Sequence, residues 1–123
     1  MEAYQIILLF FILLILFFRI KKYIASRSVT NYSSVEVRKM IKDNSGIVLM
    51  DVRTEKERKS GSIKPSIHLP LHEISIKSDQ LKKYKSREII CYCQTGSRSI
   101  SAAIKLQKMG FDAANMKGGY IKW

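Results

Sequence analysis

Ile89-Ile90-Cys91-Tyr92-Cys93-Gln94-Thr95-Gly96-Ser97-Arg98-Ser99 is the stretch whose reading decides the fold. Residues 89 to 92 form an apolar, β-branched run of the kind found in a buried central strand. From Ser99 to Met109 the pattern changes. Ile100, Ala103, Ile104 and Leu106 share one helical face, and Gly110 is well placed as a C-terminal stop. Cys93 therefore stands at the C-terminal end of a buried strand just before a helix, where open α/β sheets bind ligands. Small residues and Gly96 let the loop curl so that successive backbone N–H groups point inward, a nest for an anion above the helix N-terminus. A thiol held there is favoured as thiolate, its pKa drawn from about 8.5 toward 7 or below. Cys93 is the candidate nucleophile.

Outward from this turn, short β-branched runs alternate with amphipathic helical stretches, the pattern of an α/β domain with a mainly parallel sheet. Ile47-Val48-Leu49-Met50 reads as a second buried strand. Before it, Ser33 or Ser34 can cap a helix carrying Val37, Met40 and Ile41, which ends near Asp43-Asn44-Ser45-Gly46. Residues 54 to 60 predict a short surface helix. A small strand follows over 67 to 69, closed by Pro70, with a helical region through Tyr84. Residues 114 to 116 can add a last strand, and Gly118-Gly119 opens the final turn.

The N-terminal 28 residues are of another kind. Every residue from Ile6 to Phe18 is apolar, and Tyr4 at one end with Arg19, Lys21 and Lys22 at the other can reach headgroups, so residues 1–22 predict a short membrane anchor with a basic flank. With the stretch extended through Ala3, Tyr4 and Gln5, only Met1 and Glu2 precede it and the basic cluster follows it, the reverse of a cleaved secretory signal. The positive-inside rule places the basic flank and the following domain in the cytoplasm and the N-terminus outside. Residues 23–28 are expected to be a juxtamembrane linker and 29–123 the folded domain.

The 123 residues suffice for one domain plus this appendage. A formal net charge of +12 fits an anionic partner, whether nucleic acid, a lipid surface or a small anion. No nucleic-acid-binding motif accompanies the charge, so no nucleic-acid partner is expected. The two cysteines, Cys91 and Cys93, lie one residue apart on one strand, where same-face side chains run parallel; a disulfide between them would be strained. They read as free thiols, Cys91 as strand packing or else a redox partner, and without a cluster of other ligands they predict no metal site and no cofactor. His68 and His72 are expected to have surface or packing roles, and Trp123 to close the core.

Four segments together resemble the rhodanese family. The loop with Cys93, Gly96, Arg98 and Ser99 is similar to the rhodanese active-site loop. Leu49-Met50-Asp51-Val52-Arg53 is similar to the family's Asp-Val-Arg strand end. Gly61-Ser62-Ile63 through His68-Leu69-Pro70-Leu71 is similar to its Gly-His-Ile-Pro-Gly-Ala block, and Gly118-Gly119-Tyr120-Ile121-Lys122-Trp123 to its closing Gly-Gly-x-x-x-Trp. Ser62 and Lys64-Pro65-Ser66 depart from the family pattern, outside the catalytic loop. The resemblance covers about residues 28 to 123.

It implies a three-layer α/β fold with a central, mainly parallel sheet flanked by helices, here preceded by one transmembrane helix. It also implies a sulfurtransferase that forms a persulfide on Cys93. Cys93 and Arg98 would be catalytic; Gln94, Thr95, Gly96, Ser97 and Ser99 would bind the sulfur group through the loop. Asp51 and Arg53 would pair with Arg98 and shape the pocket rim, or be purely structural. Implied partners are small sulfur donors such as thiosulfate or persulfides, thiol or cyanide acceptors, a protein sulfur acceptor, and membrane lipid along residues 3–22. Two other readings compete. One is a phosphatase or arsenate reductase, a class whose loop has five residues between Cys and Arg where this chain has four. The other is a non-enzymatic binding or regulatory module, since a fold does not fix function.

Overall fold

The structure is a computed structural model describing residues 1–123. Five strands form one sheet in the order β1-β5-β4-β2-β3, comprising Asn31–Tyr32 (β1), Val48–Asp51 (β2), Ile67–His68 (β3), Ile89–Tyr92 (β4) and Ala113–Met116 (β5). Every pairing is parallel. Alternation along each strand splits the core in two. Val48, Met50, Ile89, Cys91 and Ala113 face one way, where they meet Ile74 of α4 (Ile74–Lys77), Leu81, and Ala102, Ala103 and Leu106 of α5 (Ser97–Lys108). Leu49, Ile90, Tyr92, Ala114 and Met116 face the other, against Val37 of α2 (Ser34–Lys42), Ile63, Tyr120 and Trp123. This is the expected three-layer arrangement.

The expected elements form for local reasons. Ser33 caps α2, accepting from the Glu36 amide at 3.1 Å while the Glu36 carboxylate accepts from the Ser33 amide at 2.6 Å. Thr54 and Glu57 repeat this box at α3 (Glu55–Lys59), within the predicted 54 to 60. The region expected to be helical through Tyr84 breaks into 3-10 turns around the four residues of α4, burying Ile74 and Leu81. The edge strand β1 was not anticipated, being too short to show alternation.

One helix, α1 (Ala3–Ser26), is long and apolar enough to cross a membrane, with a mean hydropathy of 2.5 over its best 18 residues and none of that stretch buried. At about 1.5 Å per residue its 24 residues extend roughly 36 Å. Of the segment expected as a linker over 23–28, residues 23–26 continue the helix, which ends at Ser26. Lys21 to Ser26 contain neither glycine nor proline, so nothing stops it earlier. Only residues 27–30 then separate it from β1, and the Ser28 hydroxyl bonds back to the Ala25 carbonyl at 2.6 Å.

Candidate active site

β4 ends at Tyr92, so Cys93 is delivered at the C-terminal edge of the central strand, and α5 begins four residues later at Ser97. Gly96 makes the turn with φ of 105°, a left-handed conformation in which a side chain would be strained; its amide donates to Cys93 Sγ at 3.0 Å. Ser99 Oγ lies 3.4 Å from the same sulfur. Burial, which leaves Cys93 1% exposed, pushes its thiol pKa up. Hydrogen bonding from the Ser99 side chain and from the Ser99, Gly96 and Thr95 amides outweighs that burial and brings the thiol below its ordinary value. The Gly96 amide and the Ser99 hydroxyl are thus the groups within hydrogen-bond distance of the sulfur. Thr95 and Ser97 are exposed beside it, and Gln94 is half-buried.

The loop is seated from the C-terminal end of the chain. Tyr120 N–H donates to the Cys93 carbonyl at 2.8 Å and Ile121 N–H to the Gln94 carbonyl at 3.1 Å. Gly119 passes so close that a Cβ there would fall 2.6 Å from the Cys93 and Gln94 carbonyl oxygens, and a Cβ on Gly96 would lie 3.2 Å from the Gly118 nitrogen. The closing Gly-Gly turn and the cysteine loop therefore form one mutually fitted unit.

Arg98 differs from expectation. Its guanidinium makes a two-pronged pair with Glu57, 2.7 and 2.8 Å, rather than pairing with Asp51 or Arg53. The pair holds the Glu57 carboxyl down at about 2. Asp51 and Arg53 do not shape an open rim. They pair with each other, Arg53 Nε to Asp51 Oδ1 at 3.0 Å and Nη2 to Oδ2 at 2.9 Å, with side chains 0% and 2% exposed. Strand alternation explains the difference: Asp51 is in register with Tyr92 and shares its face, opposite the one α5 covers, so it points away from Arg98. Tyr92 Oη donates to Asp51 at 3.0 Å and Arg58 adds a second guanidinium at 3.3 Å. Burial pushes Asp51 up, but these donors, Arg53 foremost, bring its carboxyl below the ordinary range. The pair still reaches the loop from behind, since Arg53 Nη1 donates to Gln94 Oε1 at 3.1 Å.

Glu57, Arg58 and Asn115 were not foreseen. Glu57 carried a legible signal, standing three residues after Thr54 in a capping box, but nothing local marks its partner across the fold. Cys91 is fully buried in the apolar layer, where burial pushes its thiol far up, and both cysteines are free. His68 Nε2 lies 2.8 Å from the Arg53 carbonyl, a packing role as expected, and His72 lines a cleft with Thr54, Leu71, Arg98 and Lys105.

Residues 33–123 match the family model described as a rhodanese-like domain. A protein named sulfurtransferase from Allochromatium vinosum is 31% identical over 96 residues, 77% of this chain and 88% of that protein. The putative sulfurtransferase YtwF of Bacillus subtilis is 28% identical over 95 residues, 77% of this chain and 90% of that one. Among solved structures, a rhodanese-related protein from Thermoplasma volcanium matches with a TM-score of 0.69 at 26% identity, covering 76% of this chain and 89% of that one. A rhodanese-like domain protein from Staphylococcus aureus matches with the same TM-score and identity, over 77% of this chain and 91% of that one.

Proposed function

Because the chain belongs to the rhodanese-like domain family, we propose that it is a sulfurtransferase carrying sulfane sulfur on Cys93 at the cytoplasmic face of a membrane. The observation that carries this reading is the convergence of loop donors on one buried sulfur. In the first step the Cys93 thiolate attacks the outer sulfur of thiosulfate or of a small persulfide. The donor's S–S bond breaks and sulfite, or the thiolate of the donor, leaves with the electron pair. Cys93 now holds a persulfide anion. In the second step a thiol, deprotonated as it attacks, or cyanide takes the terminal sulfur, and Cys93 is released as thiolate.

The roles follow from the contacts. The Thr95, Gly96 and Ser99 amides hold the anionic sulfur as an oxyanion hole holds developing charge, and Gln94 and Ser97 complete the loop. Arg98 contributes charge already matched by Glu57, so the loop has no surplus cation to select a dianionic donor, and low-molecular-weight persulfides suit it as well as thiosulfate. Asp51 and Arg53 act as the loop's rear brace.

The anchor reading adds a location. The apolar run from Ile6 to Phe18 lies in the bilayer with the N-terminus outside and the basic flank at the headgroups, and Arg19, Lys22, Tyr23 and Ser26 line a cleft shared with Ser97 and Ile100 of α5. That shared cleft supports a catalytic loop on the side of the domain nearest α1, where an acceptor protein or thiol at the membrane surface would reach it.

The test is thiocyanate formation by the full chain in detergent, with thiosulfate and a glutathione persulfide as alternative donors. Turnover with at least one donor, abolished in Cys93→Ala, supports the reading; a folded chain inert with both points to a binding module. Protease access to residues 29–123 in sealed vesicles checks the orientation separately.

A further inference from the structure

Ser99 has one hydroxyl proton and two acceptors in reach, Cys93 Sγ at 3.4 Å and Asn115 Oδ1 at 2.5 Å. Which one it serves is decided three residues away. Asn31 Nδ2 donates to the Val29 carbonyl at 3.3 Å, and a flipped Asn31 would set two oxygens face to face. Asn31 Oδ1 is therefore turned toward Asn115, whose Nδ2 donates to it at 2.8 Å. That leaves Asn115 with its oxygen toward Ser99, able only to accept. The backbone carbonyl of Val29 thus orients a chain of three side chains that ends at the nucleophile. The chain runs across the edge pair β1–β5, in register at Asn31 and Asn115.

We propose that Asn115, oriented by Asn31, is a positioning residue that holds the Ser99 hydroxyl proton away from Cys93 and so sets how readily the sulfur ionises. With Cys93 as a thiol, S–H donates to Ser99 Oγ and Ser99 donates to Asn115, so every group is satisfied. With Cys93 as thiolate or persulfide anion, the Ser99 proton swings to sulfur and the buried Asn115 oxygen, 1% exposed as a residue, loses its donor. The relay therefore offsets part of the stabilisation that the Ser99 hydroxyl gives the anion, and Asn31, on the first strand after α1, tunes it without touching the sulfur. The charged and titratable groups around Cys93 are Cys91, the Arg98–Glu57 pair and the buried Asp51–Arg53 pair. None of them contacts Asn31 or Asn115 through a hydrogen bond.

This inference deepens the sulfurtransferase reading by assuming Cys93 is the reacting thiol, but its readout, alkylation, reports ionisation whether or not sulfur is transferred. The full chain in detergent, with Cys91→Ala to leave a single thiol, is titrated by the pH dependence of iodoacetamide alkylation. Asn31→Ala, at an exposed edge position, moves the midpoint of the folded chain to lower pH by roughly 0.5 to 1 unit. Alkylation below the midpoint becomes about 3- to 10-fold faster. Asn115→Ala moves it the same way. In a Ser99→Ala background neither substitution moves it. An unchanged or raised midpoint in folded Asn31→Ala, or the same shift without the Ser99 hydroxyl, overturns the proposal.

Discussion

Replacing Asp51 with asparagine tests whether the loop is braced from behind by a buried charge pair. The carboxylate accepts from Arg53 Nε, Arg53 Nη2, the Arg53 amide, Tyr92 Oη and Arg58 Nη1, all between 2.9 and 3.3 Å. Asparagine keeps one accepting oxygen and turns two N–H groups toward donors. The Arg53 guanidinium, 2% exposed, is left charged without a counter-ion. Removing one partner of such a pair costs about 3–5 kcal/mol. With an m-value of about 1–3 kcal/mol/M, the urea midpoint of the full chain in detergent falls by at least about 1 M. The pH dependence has a definite sign. Asp51 is held below its unfolded value, so its stabilisation is fully present above about pH 4 and is lost as pH falls through the folded value. The gap between wild type and Asp51→Asn, wide at pH 7, therefore narrows in acid. Arg58→Gln removes the 25% exposed outer arm together with its bonds to the Ser66 hydroxyl and carbonyl, and costs about 1–2 kcal/mol while leaving the Asp51–Arg53 pair intact. An Asp51→Asn penalty under 1 kcal/mol, or one no larger than that of Arg58→Gln, would refute the reasoning.

Gly96→Ala places a Cβ at φ of 105° and 3.2 Å from the Gly118 nitrogen, so sulfur loading of Cys93 drops at least about 10-fold while the fold survives at a cost of about 1–3 kcal/mol, read by intact mass and urea unfolding. Glu57→Gln breaks the Arg98 pair. Glu57 titrates at about 2 when folded, so the pair stabilises above about pH 4.5 and fades as pH falls toward 2; both partners are about a third exposed, which limits the loss at pH 7 to about 1 kcal/mol in a thermal melt. Cys91→Ala leaves sulfur loading intact and costs about 1 kcal/mol, since its thiol is fully buried in the apolar layer; loss of loading on this substitution would give Cys91 a chemical part.

The elements nearest the site were the most legible in sequence, because each combined a local signal with a period. The Ile89–Tyr92 run, the Ile100-Ala103-Ile104-Leu106 face and Gly96 fix a strand, a helix and the turn between them, and the donors found on Cys93 are the amides such a turn must present. Partners distant in sequence were not legible. Arg98 meets Glu57 across 41 residues and Asn115 meets Asn31 across 84, and a single chain carries no mark of such pairings. The expectation that Arg98 would meet Asp51 or Arg53 followed from strand ends being neighbours; it failed because the side chains of Asp51 and α5 lie on opposite faces of the sheet. Residues 23–26 are helical where a linker was expected, because a helix runs through a change from apolar to basic residues when neither glycine nor proline interrupts it.

The central claim is that Cys93 carries sulfur, and the intact mass of the full chain after incubation with thiosulfate or a persulfide donor tests it most directly, with Cys93→Ala and Cys91→Ala run in parallel. The account predicts a gain of one sulfur atom that cyanide removes, retained in Cys91→Ala and lost in Cys93→Ala. No gain with either donor in a folded chain, or a gain that persists without Cys93, would contradict it.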